Sequence, residues 1–186
     1  MRLFIAINLP PELREAVWVA VESLRRRFDG IRWSKPEQMH LTLKFLGEVE
    51  DGRVSSISQA LASAASGVPA FDVAVGELGA FPTPQRPRVV WVGCEPVPPL
   101  ELLQHGVERE MAGLGFEIEG RAFRPHVTLG RARDGADPQA LRTLGSALDS
   151  LAFADLFRAN SVELMQSRLG PAGATYQVVH SESLRT

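Results

Sequence analysis

Residues 39–47 read MHLTLKFLG and residues 125–131 read PHVTLGR. The chain has 186 residues and four histidines, and two of these, His40 and His126, open the same word, His-x-Thr-Leu. On a strand, residues two apart share a face. Strict alternation therefore sends His40, Thr42 and Lys44 one way and Leu41, Leu43 and Phe45 the other. In the second copy His126 and Thr128 share a face, with Val127 and Leu129 behind them. Each word reads as a strand with an apolar back and a polar front. Arg131, five residues past His126, falls on the wrong face by alternation, and a bulge at Gly130 would bring it round.

The words are 86 residues apart, and sliding the whole chain by 86 extends the match. Residues 3–7 (LFIAI) fall on 89–93, Asp51 falls on Asp137, and FDVAVGEL at 71–78 falls on FRANSVEL at 157–164. One further step puts TYQVVH, 175–180, under the first strand. This predicts a duplication, with repeats of roughly 1–86 and 87–172 and a closing strand at 174–184, in one bilobal domain spanning 1–186.

Each unit reads as strand, helix, strand, helix, strand. Leu13, Val17, Val21, Leu24 and Phe28 form a helical apolar stripe that ends at Gly30. Residues 31–34 form a short strand. Asp51 caps a helix carrying Val54, Ile57, Leu61 and Ala64. In the second unit the stripes are Leu100, Leu103, Val107, Met111, Leu114 and then Leu141, Leu144, Leu148, Leu151, the latter beginning at Asp137-Pro138. Residues 79–88 (GAFPTPQRPR) read as a loop between units, and 170–174 (GPAGA) as a turn. The predicted class is α+β: two mainly antiparallel sheets facing a central cleft across a pseudo-two-fold axis, with helices on the outer faces. The closing strand is expected to join the sheet of the N-terminal strand, leaving mid-chain strands to build the other lobe.

Composition narrows the classes. No apolar run approaches the ~20 residues of a membrane-spanning helix, and the opening MRLFIAINLPPE lacks a signal-peptide pattern, so a cytoplasmic protein is expected. Cys94 is the only cysteine, which excludes an intrachain disulfide and a cysteine-rich zinc site. It reads as a bland strand-end thiol. The net charge of −2 argues against a general DNA coat. Its distribution is uneven, however. Arg121, Arg124, Arg131 and Arg133 bracket His126, and Arg32, Lys35 and Lys44 bracket His40, so a local anion site is expected.

Two imidazoles and two hydroxyls meeting in one cleft suit phosphoryl chemistry without a metal. Histidine serves as acid or base near neutral pH. In-line displacement at phosphorus places attacking and leaving oxygens on opposite sides, so one histidine can take a proton from water while the other gives one to the leaving oxygen. Threonine hydroxyls and an arginine can hold the nonbridging oxygens. His105 reads as a surface residue, and His180 has no assigned role. Of the aromatics Phe4, Phe45, Trp33 and Trp91, Phe4 and Phe45 have core parity, and Trp33 is the best candidate for stacking a base.

The paired words in a duplicated α+β chain resemble the 2H phosphoesterases. With RLFIAINLP, HLTLKFLGEV, FPTPQRPRVVWVG, RPHVTLGR and LMQSRLGPAGATYQVV, the chain is similar over nearly its whole length to the RNA 2′,3′-cyclic phosphodiesterases, also called 2′-5′ RNA ligases. The resemblance implies hydrolysis of a terminal 2′,3′-cyclic phosphate on RNA to a 2′-phosphate, and reversal to a 2′-5′ linkage. It further implies His126 as proton acceptor, His40 as proton donor, and Thr42, Thr128 and Arg131 as phosphate ligands. No metal or other cofactor is called for, the partner is an RNA 3′ end, and a monomer is expected because the two-fold site is internal. The rival readings are a phosphodiesterase for a small cyclic phosphate or cyclic nucleotide, and an RNA-end-binding protein without turnover.

Overall fold

The computed structural model describes residues 1–171 and 173–186. Ala172, within the expected turn at 170–174, lies outside the described residues. The chain opens with β1 (Arg2–Asn8), buried from Leu3 to Ile7. The first helical stripe is buried throughout, but it is carried by two helices, α1 (Pro11–Ala20) and α2 (Glu22–Arg27), broken at Val21. Next come β2 (Ile31–Trp33), β3 (His40–Glu48) and α3 (Val54–Ala65). Asp51 does not cap α3. A 3-10 turn at Asp51–Arg53 precedes the helix, and no side chain caps it.

The stretch 79–88 is not a loop. Strand β4 (Phe71–Thr83) runs into β5 (Arg86–Cys94) through a hairpin turn at residues 84 and 85, because its prolines sit within the strands or at the turn. Helix α4 (Pro98–Gly113) then leads to β6 (His126–Ala132). The helix expected from Asp137 begins only at Leu144, as α5 (Leu144–Asp149). Before it, an Asp137 side chain holds the Gln139 amide and successive bonds span three residues, which makes turns rather than α-helix. The chain closes with β7 (Ala154–Ala159), β8 (Ser161–Gly170) and β9 (Gly173–Ser183). No helix among the described residues is long and apolar enough to cross a membrane.

The strands pair antiparallel in the order β7-β4-β5-β6-β3-β1-β8-β9, with β2 added to β6. This order maps onto itself when read backwards with β7 for β9, β4 for β8, β5 for β1 and β6 for β3. The two lobes are its halves, and they meet at a single residue pair, Leu41 opposite Val127. The closing strand does lie in the half that contains β1. It occupies the place equivalent to β7, however, not that of a third copy of the first strand.

The repeat register also needs one correction. Asn8 lies opposite His40 while Gly93 lies opposite His126. First strands therefore match at 85 residues and the words at 86, so the connecting segments differ by one residue. A one-residue slip exchanges the faces of a strand. Trp91 is thus the counterpart of Ala6, on the cleft side, and not of core Ile5.

Both word strands bulge at the same place. In β3 the partners pass from Lys44 to Thr42, skipping Leu43. In β6 they pass from Gly130 to Thr128, skipping Leu129. The expected bulge at Gly130 is there, and Arg131 reaches the cleft. Its twin in β3 overturns two expectations. Lys44 does not share a face with His40: it is buried, donating to Glu108 Oε2 at 2.6 Å and to the Glu117 carbonyl at 2.7 Å. Phe45 is not core. It is 67% exposed and turned into the cleft.

Candidate active site

The Leu41–Val127 pair sets the site. One step either way along antiparallel strands brings His40 opposite Thr128 and Thr42 opposite His126. Leu41 and Val127 are fully buried, so all four polar side chains lie on the other, cleft-side face. Each histidine thus has the other word's threonine beside it, and the two histidines lie on a diagonal. A cavity of about 710 Å³ opens over this face, lined at its base by His40, Thr42, Thr128 and Arg131. It extends along β1, β8 and β9 on the His40 side. His126 stands at the opposite flank, outside the cavity wall.

The histidines are held alike. The His126 Nδ1 lies 2.7 Å from the Arg124 carbonyl, two residues back. A carbonyl only accepts, so Nδ1 carries the hydrogen and Nε2 keeps its lone pair for the cleft. The backbone of Gln38, also two residues back, stands in the corresponding place beside His40 and favours its charged form. The rings have aromatic walls. His40 packs on Phe4 at 4.7 Å between centroids and meets Tyr176 edge-on at 5.0 Å. His126 meets Phe81 edge-on at 5.1 Å, with Trp91 at 6.5 Å. The Trp91 ring lies over Gly79, where a Cβ would come within 2.2 Å of it.

These surroundings disfavour imidazolium. Burial, with lesser contributions from Arg14 and Arg131, pushes His40 down to about 4 against the Gln38 backbone. Burial, with Arg131 adding to it, lowers His126 too, against its Arg124 bond. Both rings are therefore neutral at pH 7 in the free protein. Arg131 depresses both histidines and is a positive charge shared by the two halves of the site.

The flanking cations divide. Arg32, Lys35 and Arg131 line the cavity, whereas Lys44 is sealed behind it. Arg121 and Arg124 are exposed, and Arg133 donates to the Asp29 carbonyl at 3.0 Å. Trp33 lines the cavity with its indole N–H donating to the Phe28 carbonyl at 3.1 Å. Phe4 is 2% exposed and forms with Ala6 and Met165 a small apolar cluster against which Tyr176 packs. His105 is exposed, and His180 pairs with Glu182. Cys94 is buried and its thiol is pushed up to about 12, an inert group. Among the described residues no group of three or more His, Cys, Asp or Glu side chains could hold a metal ion. Tyr176 and Phe81 escaped the sequence reading. Tyr176 lies on a strand aligned with the wrong element, and Phe81 lay in a segment read as loop.

Comparison with known proteins adds an independent line. A family profile described as "LigT like Phosphoesterase" matches residues 7–91 and again 92–176. A protein of Thermotoga maritima named RNA 2′,3′-cyclic phosphodiesterase is 33% identical over 181 residues, covering 97% of this chain and 94% of that protein. One of the same name from Methanothermobacter thermautotrophicus is 31% identical, covering 95% of each. Among solved structures, the protein TT0787 of Thermus thermophilus superposes with a TM-score of 0.84 at 28% identity, covering 100% of this chain and 98% of that one. LigT of E. coli, complexed with 3′-AMP, superposes at 0.80 and 25% identity with the same coverage.

Proposed function

The chain belongs to the LigT-like phosphoesterases, and from that membership we infer that it hydrolyses the terminal 2′,3′-cyclic phosphate of RNA. The observation that carries the mechanism is the register at Leu41–Val127, which gives one cleft a histidine and a threonine from each half. In the reading we propose, His126 Nε2 takes a proton from water. The water oxygen attacks phosphorus in line with the 3′ oxygen. The bond from phosphorus to that oxygen breaks, and His40 protonates it, leaving a 3′-hydroxyl and a 2′-phosphate. Thr42 and Thr128 donate to the nonbridging oxygens, and Arg131 offsets the charge gathering there.

The assignment of acid and base is supported by the asymmetry of the cavity. The nucleoside carries the leaving oxygen, and the room for a nucleoside lies on the His40 side. The His126 flank then faces water. Because His40 is neutral in the free protein, its proton arrives with the anion: a phosphate diester beside it favours imidazolium and offsets the burial. With a 5′-hydroxyl in place of water, the same pair keeps its roles and forms a 2′-5′ linkage, and the two exchange roles when that linkage is cleaved. The driving force is the strained cyclic ester, so no nucleotide cofactor enters. The site is complete within one chain, which supports a monomer as the working unit, and a cytoplasmic location suits a protein with a single buried thiol.

The test is turnover in EDTA of a 2′,3′-cyclic-ended oligonucleotide and of 2′,3′-cyclic AMP, with the product's phosphate position read by ³¹P NMR. His40→Ala and His126→Ala are each expected to lower kcat by at least about a hundredfold. If neither substrate is cleaved, or if both variants keep full activity, the reading is wrong.

A further inference from the structure

The reaction proposed above accepts either water or a 5′-hydroxyl, and either must enter on the His126 side, in line with the leaving oxygen. A water takes up about 30 Å³, whereas a 5′-hydroxyl brings a nucleoside with it. The room beside His126 therefore decides between hydrolysis and ligation. The duplication lets that room be compared, position by position, with the half that holds the cavity.

In the His40 half, Ala6 pairs with Thr42 on one side and Glu163 on the other, and Phe4 pairs with Met165. In the His126 half, Trp91 pairs with Thr128 and with Gly79, and Val89 pairs with Phe81. Trp91 thus stands in the place of Ala6, and Phe81 in that of Met165. Where the first half has a methyl and a thioether, the second has two rings. The outer wall differs too. Strand β9 lines the cavity with Gly173, Ala174 and Tyr176, whereas its equivalent β7 pairs with β4 only as far as Gly76, short of Gly79 and Phe81. The cavity follows this difference: no described residue between Gly47 and Thr128 lines it.

The two rings are seated for their bulk. The Trp91 indole lies over two glycines: a Cβ would come within 2.2 Å of it at Gly79 and 3.5 Å at Gly93, the residue opposite His126. Its nitrogen is buried and has no hydrogen-bond partner among the described residues. A buried tryptophan normally finds one, so this ring is held for the space it fills. Phe81 packs on it at 5.1 Å between centroids and stands at 85° to the His126 ring, also at 5.1 Å.

We propose that Trp91 and Phe81 make the site select water over a nucleoside 5′-hydroxyl, by filling beside His126 the place that the cavity leaves open beside His40. This role rests on the hydrolysis reading above and deepens it by naming what chooses the nucleophile. In ligation the 5′ oxygen bonds to phosphorus and its proton passes to His126. The bond from phosphorus to the 3′ oxygen breaks, and His40 protonates that oxygen. The proton balance is that of hydrolysis, so the walls and not the chemistry separate the two outcomes. Trp91 and Phe81 are specificity residues, and neither carries a proton of the reaction.

The test lets nucleophiles compete for 2′,3′-cyclic AMP in water that contains either methanol or 2′,3′-dideoxycytidine, whose one hydroxyl is the 5′ one. Methyl diester, 2′-5′ dinucleoside and 2′-phosphate are separated by HPLC. The ratio of diester to 2′-phosphate, per mole of alcohol, counts only molecules that turn over, so a variant that folds poorly does not distort it. In the wild type the nucleoside is expected to be captured at least about tenfold less than methanol. In Trp91→Ala and in Phe81→Ala that gap should close to below about threefold. Wild-type capture of the nucleoside equal to that of methanol overturns the proposal. So does nucleoside capture that falls in the variants, because the rings would then be a platform for the acceptor.

Binding keeps this proposal apart from the reading beneath it. A 3′-deoxy 2′-5′ dinucleoside lacks the hydroxyl that cleavage needs, and the methyl ester of 3′-deoxyadenosine 2′-phosphate matches it without the second nucleoside. The wild type should hold the two within about twofold of each other, and Trp91→Ala should favour the dinucleoside at least about threefold. If these affinities are found while 2′,3′-cyclic AMP and a cyclic-ended oligonucleotide both resist cleavage, the hydrolysis falls and the closed flank stands. If turnover is normal and the wild type holds the dinucleoside at least about tenfold more tightly, the closed flank falls and the hydrolysis stands.

Discussion

The histidine environments give the sharpest prediction, a separation between two pH profiles. With His40 pushed down to about 4, only about one free molecule in a thousand carries its proton at pH 7. In the proposed reading the productive free form has His40 charged and His126 neutral, and both groups lie below the ordinary 6.5. The logarithm of kcat/KM should therefore be flat between the two values and fall by one per pH unit above the higher of them. Its alkaline limb then begins below about pH 6.5. In the complex, the diester charge beside His40 favours the imidazolium, so the alkaline limb of kcat should lie at higher pH. Initial rates from about pH 5 to 9 at constant ionic strength give both profiles, and the His40 ring proton in an NMR titration of the free protein should move near pH 4. The sign for stability follows from the same shift. The unfolded chain binds a proton at His40 below about 6.5 and the folded chain only near 4, so stability present at neutral pH is lost as pH falls through that window. Coincident limbs for kcat and kcat/KM, both above 6.5, would refute the reasoning that burial and Arg131 keep the free site uncharged.

Two further outcomes test the frame around the site. A Cβ at Gly130 would meet Ile31 Cγ2 at 2.6 Å, the Arg32 carbonyl at 3.1 Å and Trp33 at 3.3 Å. Gly130→Ala must therefore push β2 off β6, at a cost of about 1–3 kcal/mol in denaturant unfolding, and lower kcat/KM by roughly a hundredfold through the displaced Arg131. Lys44→Met leaves Glu108 buried without its cation and should cost about 3 kcal/mol, while KM at a temperature where the variant is folded stays within about twofold of wild type. A large rise in KM would return Lys44 to the anion site from which the structure excludes it.

The words themselves were legible because a two-residue period with an apolar back has one reading, and the residues behind them, Leu41 and Val127, are fully buried as that reading requires. The helical stripes were legible for the same reason, with Leu13, Val17, Leu100, Leu103 and Met111 all in the core. Less was visible where the pattern carries no register mark. The apolar residues 4–7 fit 89–92 as readily as 90–93, and only the strand pairing shows that the first strands match at 85. Prolines hid the β4–β5 hairpin, since they read as loop when taken one by one. Tyr176 sits on a strand whose mixed pattern suited several alignments.

The misplacement of Lys44 and Phe45 has a more instructive origin. A bulge was needed at Gly130 to bring Arg131 to the cleft, and glycine advertised it. The duplication implies that whatever the second copy needs the first copy can share, and the equivalent of Gly130 is Lys44. There the bulge is held by a buried ion pair to Glu108 instead of by the absence of a side chain, so no residue type announces it. The two copies thus keep one backbone and fill it with opposite chemistry. Gly130 admits β2 and sets Arg131 in the cleft, while Lys44 turns inward and leaves Phe45 facing it. A symmetric duplicate would bind its substrate equally well in two opposite orientations. The exchange of an arginine for a phenylalanine at the matched position removes that degeneracy, and in the reading proposed above it sets the nucleoside beside His40 and the water beside His126.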